Sequence, residues 1–508
     1  MKFFSCFVFQ IILIGLFLTT ASRSQWIQQD NKLIPTNNIG TAIFFGYSVA
    51  LSADGNTAVV GGIGDNTNAG AAWIYTRNGS GTWSVQAKLF GTGATGSASQ
   101  GFSVAISADG NTVVVSGIGD NTNKGAIWVF IRSGTVWTPQ GSKLVGTGAV
   151  GNAEQGFAVS LSADGNTIAV AGWRDNTGAG AVWIFKRNGI VWSQQGNKLT
   201  VSDAILVARF GSSIDLSADG NTLIIGGHYD NTFAGAAWVF IRNGNSWTSQ
   251  TKLTGADAIG IAPRFGRSVS ISSDGNTAVV GGYDDDGSKG AVWVYTRSGS
   301  TWTQQGNKLI GTGATGNAKL GFSISLSDDG NTVVVGGYTD NANAGAAWIF
   351  TRNGSVWSQS GNKLVGSGAI GSAVNQGGAV AISPDGNTVI VGGIGDDTNK
   401  GAAWVFIPGT TSVENISSEI PKEFMLEQNY PNPFNPSTNI QFALPQSGFV
   451  KLEIFSLTGE RVDVLISEEL SAGKYNYEWN GSNLTSGIYF YRLNTGSFIE
   501  TRKMLLIK

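Results

Sequence analysis

Seven aspartates at a regular spacing are the residues of this sequence that most readily suggest chemistry. Each begins a stretch of the form Asp-Asn-Thr-x-x-Gly or a close variant, and a tryptophan follows eight residues later. Clustered carboxylates attract cations, and a pair of carboxylates can hydrolyse a glycosidic bond. Asp and Asn side chains also form turns by bonding nearby backbone groups, which better explains one identical residue per repeat. A turn is therefore favoured, with a bound cation as the alternative, for Asp65, Asp120, Asp175, Asp230, Asp285, Asp340 and Asp396.

Other catalytic arrangements are not visible in the sequence. His228 is the single histidine, so a His-dependent triad would have to be built around it. Nothing resembles G-x-S-x-G, H-E-x-x-H or a P-loop, and no long insertion interrupts the repeats. We predict no enzyme activity and no cofactor. A secreted carbohydrate-active enzyme that uses the loop acids is the alternative.

The aspartates belong to a long internal repeat. An Asp-Gly-Asn turn recurs at spacings of 55 residues, five times, and then 56, a period typical of propellers and solenoids. Each repeat is predicted as four strands; in the first they are GYSVALS, TAVVGG, GAAWIYTR and Trp83–Leu89. The third strand is apolar on both sides, so each sheet must be covered on both faces. Propeller blades meet that requirement, whereas a two-layer sandwich leaves one face of each sheet wet.

A spare strand at the N-terminus predicts how the ring closes. Third-strand and fourth-strand tryptophans each occur seven times, yet the last repeat stops after Phe406 without a fourth strand. The segment Trp26–Leu33 carries the missing one. We therefore predict an all-β fold in which residues 25–407 form a seven-bladed β-propeller of four-stranded blades, closed by an N-terminal strand.

The repeat pattern FG-YSVALSADGNTAVVGG…GAAWIYTRNG resembles the FG-GAP repeats of the integrin α-subunit propeller, over residues 26 to 407. The resemblance implies a propeller that often binds Ca²⁺ in the turn between strands one and two. Here that turn, Ser-Ala-Asp-Gly-Asn-Thr, has one Asp and is too short for a cage of six or more oxygen ligands. The metal function is not carried over, and no Ca²⁺ is expected.

Residues 1–24 are predicted to be a secretory signal peptide, since a lysine, an apolar run from Phe3 to Leu18 and small residues follow one another. The only cysteine, Cys6, lies within it, so the mature chain has no thiol chemistry. The 32 basic and 34 acidic residues give no case for a nucleic-acid partner. We expect a monomer without a transmembrane segment.

The composition changes after the last repeat. Residues 408–424 are predicted to be a linker, and residues 425–508 a small Ig-like β-sandwich of alternating strands. Three blocks, NYPNPFNPST, VKLEIFSLTGERV and GIYFYRLNTGSFIETRKMLLIK, resemble the type A sorting domain of the type IX secretion system. The resemblance implies that residues 425–508 contact the secretion machinery. It also implies that the protein is secreted or attached to the outer surface of the outer membrane of a Bacteroidetes-related bacterium.

Departures from the repeat point to a ligand site. Just before the recurring Asp, repeats one, two and seven have Ile-Gly, whereas repeats three to six carry an aromatic residue. The inter-blade loops of repeats four and five also depart, with Arg267 among the changes. Larger residues that fill a gap beside the axis are one interpretation; an aromatic platform for a sugar or a peptide is the other. We predict a binding or adhesion module for an unknown extracellular glycan or protein, with a structural surface-layer role as an alternative. The assigned residues are Trp173, Arg174, Arg209, His228, Tyr229, Arg264, Tyr283, Asp284 and Tyr338.

Overall fold

A computed structural model describes residues 26–409, 414–417, 420–481 and 484–507. The predicted signal peptide and Cys6 lie outside the described residues. Residues 26–409 belong to one compact unit, and the described residues from 414 onwards belong to a second. Each unit is described by itself.

The first unit consists of seven four-stranded antiparallel sheets, which are the blades. Blades one to three contain β2 (Phe45–Leu51), β3 (Thr57–Gly62), β4 (Ala71–Arg77) and β5 (Trp83–Leu89); β6 (Gln100–Ile106), β7 (Thr112–Gly117), β8 (Ala126–Ser133) and β9 (Val136–Pro139); and β10 (Ala158–Leu161), β11 (Thr167–Gly172), β12 (Ala181–Asn188) and β13 (Val191–Gln194).

Blades four to six contain β14 (Ser213–Leu216), β15 (Thr222–Gly227), β16 (Ala236–Asn243) and β17 (Ser246–Leu253); β18 (Ser268–Ile271), β19 (Thr277–Gly282), β20 (Ala291–Ser298) and β21 (Thr301–Gln304); and β22 (Ser323–Leu326), β23 (Thr332–Gly337), β24 (Ala346–Asn353) and β25 (Val356–Gln359). Blade seven contains β26 (Ala379–Ile382), β27 (Val389–Gly393), β28 (Ala402–Pro408) and, from the other end of the unit, β1 (Trp26–Gln28).

The N-terminal strand completes the last blade, as the sequence predicted. Strand β1 runs antiparallel to β28, with Trp26 opposite Pro408 and Gln28 opposite Phe406. Beyond β1, Leu33 forms a further bridge with Ala403. The first strands of neighbouring blades contact each other around the whole ring, including β26 with β2. The seven-bladed ring is therefore closed.

Burial explains why the repeats stack as blades. The second strand is buried along its full length, and the third-strand tryptophans are almost completely enclosed. Trp73 of blade one, for example, shares a core cluster with Ile390 and Val405 of blade seven. Apolar side chains on both faces of each sheet thus pack against the two neighbouring blades, as the third-strand pattern predicted.

Side-chain hydrogen bonds define the turn between strands one and two. In blade one, Asp54 Oδ1 accepts from the Ser52 hydroxyl at 2.5 Å and from the Asn56 amide at 2.9 Å. Gly55 takes the left-handed conformation that this turn requires (φ +62°). Arg77 in the third strand then donates to Asn56 and lies over the Trp83 ring. The turn therefore also fixes the outer edge of the blade.

Seven four-residue helical segments connect strands two and three. They are α1 (Asp65–Asn68), α2 (Asp120–Asn123), α3 (Asp175–Gly178), α4 (Asp230–Phe233), α5 (Asp285–Ser288), α6 (Asp340–Asn343) and α7 (Asp396–Asn399). None of the helices in the described part of the chain has the length and apolar content that a membrane crossing requires.

The second unit is a sandwich of two four-stranded sheets, as predicted. One sheet has the order β29 (Glu414–Ser417), β34 (Gly473–Asn480), β31 (Ser437–Leu444), β30 (Met425–Leu426); the other has the order β33 (Arg461–Leu470), β32 (Gly448–Ser456), β35 (Gly487–Asn494), β36 (Ile499–Leu506). Phe442, Tyr491 and Leu506 are among the side chains in its core. Strand β29 lies in the stretch predicted as a linker, where its backbone pairs with the edge of β34.

Candidate ligand-binding face

The loops between strands two and three lie on the same side of the ring as the connections between successive blades. We call this side the loop face. In blade one, Asp65 Oδ1 accepts a hydrogen bond from the Ile39 amide at 2.8 Å, and Lys88 contacts Oδ2 at 2.7 Å. Ile39 lies in the segment that enters the blade, and Lys88 in its fourth strand. The Asp65 side chain thus ties three segments together.

The same aspartate–lysine contact recurs in every blade. All seven aspartates are buried, and in blade seven the lysine is Lys32 from the N-terminal segment. In blades one to six each lysine follows its aspartate by 22 or 23 residues, a regularity that sequence analysis overlooked. The ion pairs are Asp65–Lys88, Asp120–Lys143, Asp175–Lys198, Asp230–Lys252, Asp285–Lys308, Asp340–Lys363 and Asp396–Lys32.

Each aspartate therefore faces an ammonium group and a backbone donor, which together neutralise and orient it. The described residues contain no group of three or more His, Cys, Asp or Glu side chains that could hold a metal ion.

The backbone after each aspartate is left-handed at two consecutive residues, which are both non-glycine in every blade except blade five. In blade one, Asn66 (φ 47°, ψ 59°) and Thr67 (φ 58°, ψ 46°) are both left-handed. L-residues disfavour this region by about 1–2 kcal/mol each, because Cβ approaches the following carbonyl oxygen. Such strain persists only where the surroundings fix the conformation, and the anchored aspartate is one such constraint.

Two halves of the loop face differ at the residue before each aspartate. In blades seven, one and two it is glycine, and a Cβ added to Gly64 would lie 2.0 Å from Ala42 O. These three blades form the closed half. In blades three to six, which form the open half, the same position carries a side chain: Arg174, Tyr229, Asp284 or Thr339.

Within the open half, the structure brings the predicted site residues into one contact network. Trp173 stacks towards His228 at 6.4 Å between ring centroids, and His228 meets the edge of Tyr229 at 4.7 Å. The Arg209 guanidinium lies 4.2 Å from the Trp173 ring centroid and 3.6 Å from that of Tyr229. Arg264 lies 4.7 Å from the Tyr229 centroid.

A second group joins this network through Phe322, which the sequence analysis did not select. Its ring lies 5.6 Å from Tyr283 and 4.4 Å from Tyr338. Arg267 lies 4.1 Å from the Phe322 centroid. Lys319 approaches both tyrosines, at 5.4 Å and 5.8 Å.

One backbone position supplies four of the charged side chains of this network: Glu154, Arg209, Arg264 and Lys319. The residue that ends each inter-blade connection has a positive φ although none of the seven is glycine. The residue type at this position differs from blade to blade, whereas the backbone conformation stays the same. The variation in residue type was visible in the sequence. The seven residues are Phe44, Ser99, Glu154, Arg209, Arg264, Lys319 and Asn375.

Aromatic side chains also surround the end of the central axis on the loop face. They come from the position after the glycine that opens each first strand. Tyr47, Phe102 and Phe157 contact one another in sequence at 4.9 Å and 5.2 Å, and Phe157 stacks on Trp173 at 4.4 Å. We call the set the axis mouth: Tyr47, Phe102, Phe157, Ser212, Arg267, Phe322 and Gly378.

His228 is buried beneath this network. Burial, followed by the charges of Arg267, Arg264 and Arg209, lowers the pKa of His228 to about 2, so the imidazole is neutral at physiological pH. Its Nδ1 atom has no hydrogen-bond partner among the described residues. A buried polar atom without a partner costs free energy, and a ligand that supplies one would recover it.

The two carboxylates of the contact network are already paired. Glu154 accepts a hydrogen bond from Trp173 Nε1 at 2.6 Å and forms an ion pair with Arg174 at 3.2 Å. Asp284 lies 3.5 Å from Arg264 Nε. These contacts orient Trp173 and the arginines, and they give both carboxylates a cationic partner.

The channel below the axis mouth shows the same division into halves. At one position of the first strand the closed half has alanine only, and the open half has Ser160, Asp215, Ser270 and Ser325. Asp215 accepts hydrogen bonds from Ser160 and Ser270 in the two neighbouring blades, at 3.1 Å and 3.0 Å. Burial raises its pKa to about 6. Sequence analysis overlooked Asp215, although it is the only acid at this position.

Two family profiles match parts of the chain. Residues 428–508 match the Secretion system C-terminal sorting domain, and residues 27–75 and 247–295 match the FG-GAP repeat. The chain therefore carries FG-GAP repeats in its propeller, followed by a type IX sorting domain, as the sequence blocks predicted. The protein is secreted or attached to the outer surface of the outer membrane in a Bacteroidetes-related bacterium.

Solved structures resemble the chain at the level of fold only. A fungal alcohol oxidase of the AA5 family, in complex with copper, is 12% identical with a TM-score of 0.44; the match covers 96% of this chain and 100% of the oxidase. PorZ, a surface component of the type-IX secretion system of Porphyromonas gingivalis, is 12% identical with a TM-score of 0.43, and the match covers 94% of this chain and 61% of PorZ.

The GH74 xyloglucanase of Xanthomonas campestris is 12% identical with a TM-score of 0.43, and the match covers 83% of this chain and 59% of the enzyme. The chain thus spans about three fifths of PorZ and of the xyloglucanase. At these TM-scores the similarities carry no functional argument. No curated protein sequence matches the chain significantly.

Proposed function

We propose that the propeller is an extracellular binding or adhesion module, and that the open half of its loop face takes a glycan or a protein ligand. The observation that carries the proposal is the convergence of aromatic and cationic side chains from four consecutive blades onto one half of one face. The closed half, on the same frame, has glycine or uncharged residues at the corresponding variable positions.

The chemistry of the open half suits recognition. Trp173, Tyr229, Tyr283 and Tyr338 are each only partly buried, so their rings retain surface that a ligand can cover. Aromatic side chains contribute large contact areas with little loss of conformational entropy, and they anchor many interfaces together with arginine. The arginines beside them add direction through their planar guanidinium groups.

Rigidity of the frame supports the same proposal. The aspartate–lysine pairs fix the loops from which the side chains project. A preorganised surface loses less entropy on binding than a mobile one. Variable side chains on a fixed frame therefore make an efficient ligand surface.

A binding screen tests this function. The full chain is applied to a glycan array and to a panel of extracellular proteins, beside a variant with Trp173→Ile and Tyr283→Ile, the residue present at this position in blades one, two and seven. We expect ligands that bind the wild type and are lost in the variant. Ligands retained fully by the variant would place binding elsewhere.

Contact of residues 425–508 with the secretion machinery belongs to the same proposal, since the sorting domain covers most of that segment. Removal of residues 425–508 should retain the propeller in the periplasm. Fractionation of cells into periplasm, surface and medium measures this. Normal surface display of the truncated chain would contradict the role.

A further inference from the structure

The contact network of the open half has more cationic side chains than carboxylates. Its network contains five cations, Arg174, Arg209, Arg264, Arg267 and Lys319, against the two carboxylates of Glu154 and Asp284. The whole chain has a net charge of −2, so this excess is local. The corresponding positions of the closed half carry no charge. The imbalance therefore belongs to the ligand surface and not to the repeat.

Three of these cations have no acidic partner. Among the described residues, no carboxylate lies within ion-pair distance of Arg209, Arg267 or Lys319. Arg267 is half-buried at the axis mouth, and its guanidinium faces the Phe322 ring at 4.1 Å. Burial lowers the pKa of Arg267. A half-buried charge without a counter-ion is unfavourable, so an anion placed beside it would be stabilised strongly.

Buried polar atoms without partners lie beside these charges. Arg264 Nη1, a donor, is buried and has no hydrogen-bond partner in the described structure, and His228 Nδ1 has none either. Arg267, Arg264 and Arg209 are all close enough to His228 to act on its charge. The arginine fork matches the paired oxygens of a carboxylate or a sulfate. Charge and donor geometry thus specify the same kind of group.

We propose that the ligand is an acidic glycan, and that its carboxylate or sulfate group binds beside Arg209, Arg264 and Arg267 at the axis mouth. This inference rests on the proposed function of the open half. A uronic acid or a sulfated sugar has an oxyanion at the edge of a flat C–H surface. The network offers both parts: arginines for the oxyanion, and partly exposed rings such as Tyr283 and Tyr338 for the C–H surface. An Asp or Glu of a peptide has no such surface next to its carboxylate.

Inorganic sulfate tests the anion site directly. The melting temperature of the full chain is measured in sodium sulfate and in sodium chloride of equal ionic strength, for the wild type, Arg267→Ser and Arg209→Ser. Serine is the residue of blade four at the first position and of blade two at the second, so both substitutions suit the frame. Lys124→Ala, on an exposed residue of the blade-two loop, makes the same charge change outside the site.

Sulfate stabilises proteins in general, so the arginine variants report this background effect. We expect the gain in melting temperature from sulfate over chloride to be larger in the wild type and Lys124→Ala than in Arg267→Ser and Arg209→Ser. A gain of the same size in all four proteins would overturn the proposal.

Polymeric probes then identify the source of the anion. Binding of polygalacturonate, chondroitin sulfate, poly-L-glutamate and uncharged dextran is compared for the wild type, Arg267→Ser and Tyr283→Ile. We expect at least one acidic glycan to bind more tightly than dextran, with a loss of about tenfold or more in Arg267→Ser. Polygalacturonate and chondroitin sulfate separate a carboxylate from a sulfate.

Two results would overturn the proposal that the ligand is an acidic glycan. Binding of poly-L-glutamate without either acidic glycan would assign an acidic peptide instead. Dextran binding that is unchanged in Arg267→Ser and weakened in Tyr283→Ile would contradict an anionic ligand and would still support the proposed binding module. The absence of both a sulfate effect and any probe binding would also overturn the inference, whereas the wider screen alone decides the proposed function.

Discussion

Blades seven, one and two close the loop face with glycine, whereas blades three to six place side chains at the same positions. Gly64, Gly119 and Gly395 allow the carbonyl oxygen of the preceding loop to approach where a Cβ would lie, at 2.0–2.2 Å. The open half has slightly longer hydrogen bonds there, for example 3.3 Å from the Arg174 amide to Ala153 O against 3.0 Å from Gly64 to Ile43 O. A small widening of the loops is therefore enough to admit a new side chain.

The two halves share one backbone frame and differ in the side chains that this frame carries on the loop face. Both halves keep the buried aspartate, its lysine and the left-handed turn. On the loop face, the two halves differ in side chain at three places of each blade: the two residues before the aspartate, the positive-φ residue of the connection and the axis mouth. Because the frame carries the stability, these sites are free to change with the ligand.

The largest effect is expected from breaking the closed half at β1. Deletion of residues 26–33 removes Trp26 from the core, the pairing with β28 and the Lys32–Asp396 contact. Loss of a buried tryptophan alone costs about 3–5 kcal/mol, and β28 would become an exposed edge that promotes aggregation. Thermal unfolding and light scattering of the purified chain measure both.

A substitution of Ile27, whose side chain is about half exposed in the same strand, provides the control. Ile27→Ala should leave the melting temperature nearly unchanged. A deletion variant that melts like the wild type would show that ring closure does not depend on β1.

The second prediction tests whether the frame is equal in the two halves. Asp120→Asn in blade two and Asp230→Asn in blade four should each lower the free energy of unfolding by about 2–3 kcal/mol, since each removes charged hydrogen bonds from a buried group. Chemical denaturation measures the loss. Asp397→Asn, at an exposed residue where five of the other six blades have Asn, is the matched control and should change little.

A cation on these loops would give a different result. The wild type would then lose stability on treatment with a chelator, and the two aspartate variants would no longer respond to it. We expect the melting temperature of all three proteins to be insensitive to chelator.

The third prediction concerns the polar channel of the open half. Burial raises the pKa of Asp215 to about 6, above its unfolded value near 3.9. The folded state thus holds the Asp215 proton more tightly than the unfolded state does. The resulting contribution to the free energy of unfolding is complete below the unfolded pKa and is lost as the pH rises through about 6. Relative to Asp215→Ser, the wild type should lose roughly 2 kcal/mol of unfolding free energy between pH 4 and pH 7, allowing for some solvent in the channel.

Denaturant titrations at several pH values measure this difference. Ser270→Ala, a neighbour that donates to the carboxylate, is a control that leaves a titrating group in the channel. Parallel pH profiles for the wild type and Asp215→Ser would contradict the raised pKa.

Periodicity was sufficient to predict the frame from the sequence. Seven equivalent tryptophans per strand type and one unmatched strand at Trp26 left few ways to build the ring, and β1 pairs with β28 as expected. The lysine partner of each aspartate was equally periodic, but it lies some 23 residues away, and only the fold brings the two together. The aspartate was therefore recognised as a turn residue, while its ion pair was missed.

Members of the candidate site could be selected from the sequence only where one blade departs visibly from the next. Trp173 and Arg209 stood out because the equivalent positions of other repeats carry smaller or different residues. Phe322 did not, since blades one to three have an aromatic residue at the same position. Its importance comes from contact with Arg267 and Tyr338, which depends on the curvature of the ring. Asp215 was hidden for the same reason, because a channel exists only after closure.

The smallest effect on stability is expected from exchanging a loop-face side chain between the two halves. Tyr283→Ile installs the closed-half residue in blade five, and Ile63→Tyr installs the open-half residue in blade one. Tyr283 is only partly buried and makes an edge contact with Phe322, so its loss should leave the melting temperature nearly unchanged. Binding of any ligand found for the loop face should weaken by about 1–3 kcal/mol, the range for truncation of an interface anchor.

Ile63→Tyr is the reciprocal control, because blade one presents no arginine or lysine at the variable positions beside it. It should leave binding unchanged, since a ring without cationic neighbours adds surface but no site. Calorimetry and equilibrium binding on both variants separate the two interpretations of the aromatic residues. If Tyr283 fills a gap, its substitution creates a cavity and lowers the melting temperature while binding persists. If Tyr283 belongs to a ligand surface, binding falls while the melting temperature stays, and the difference between the halves is one of function.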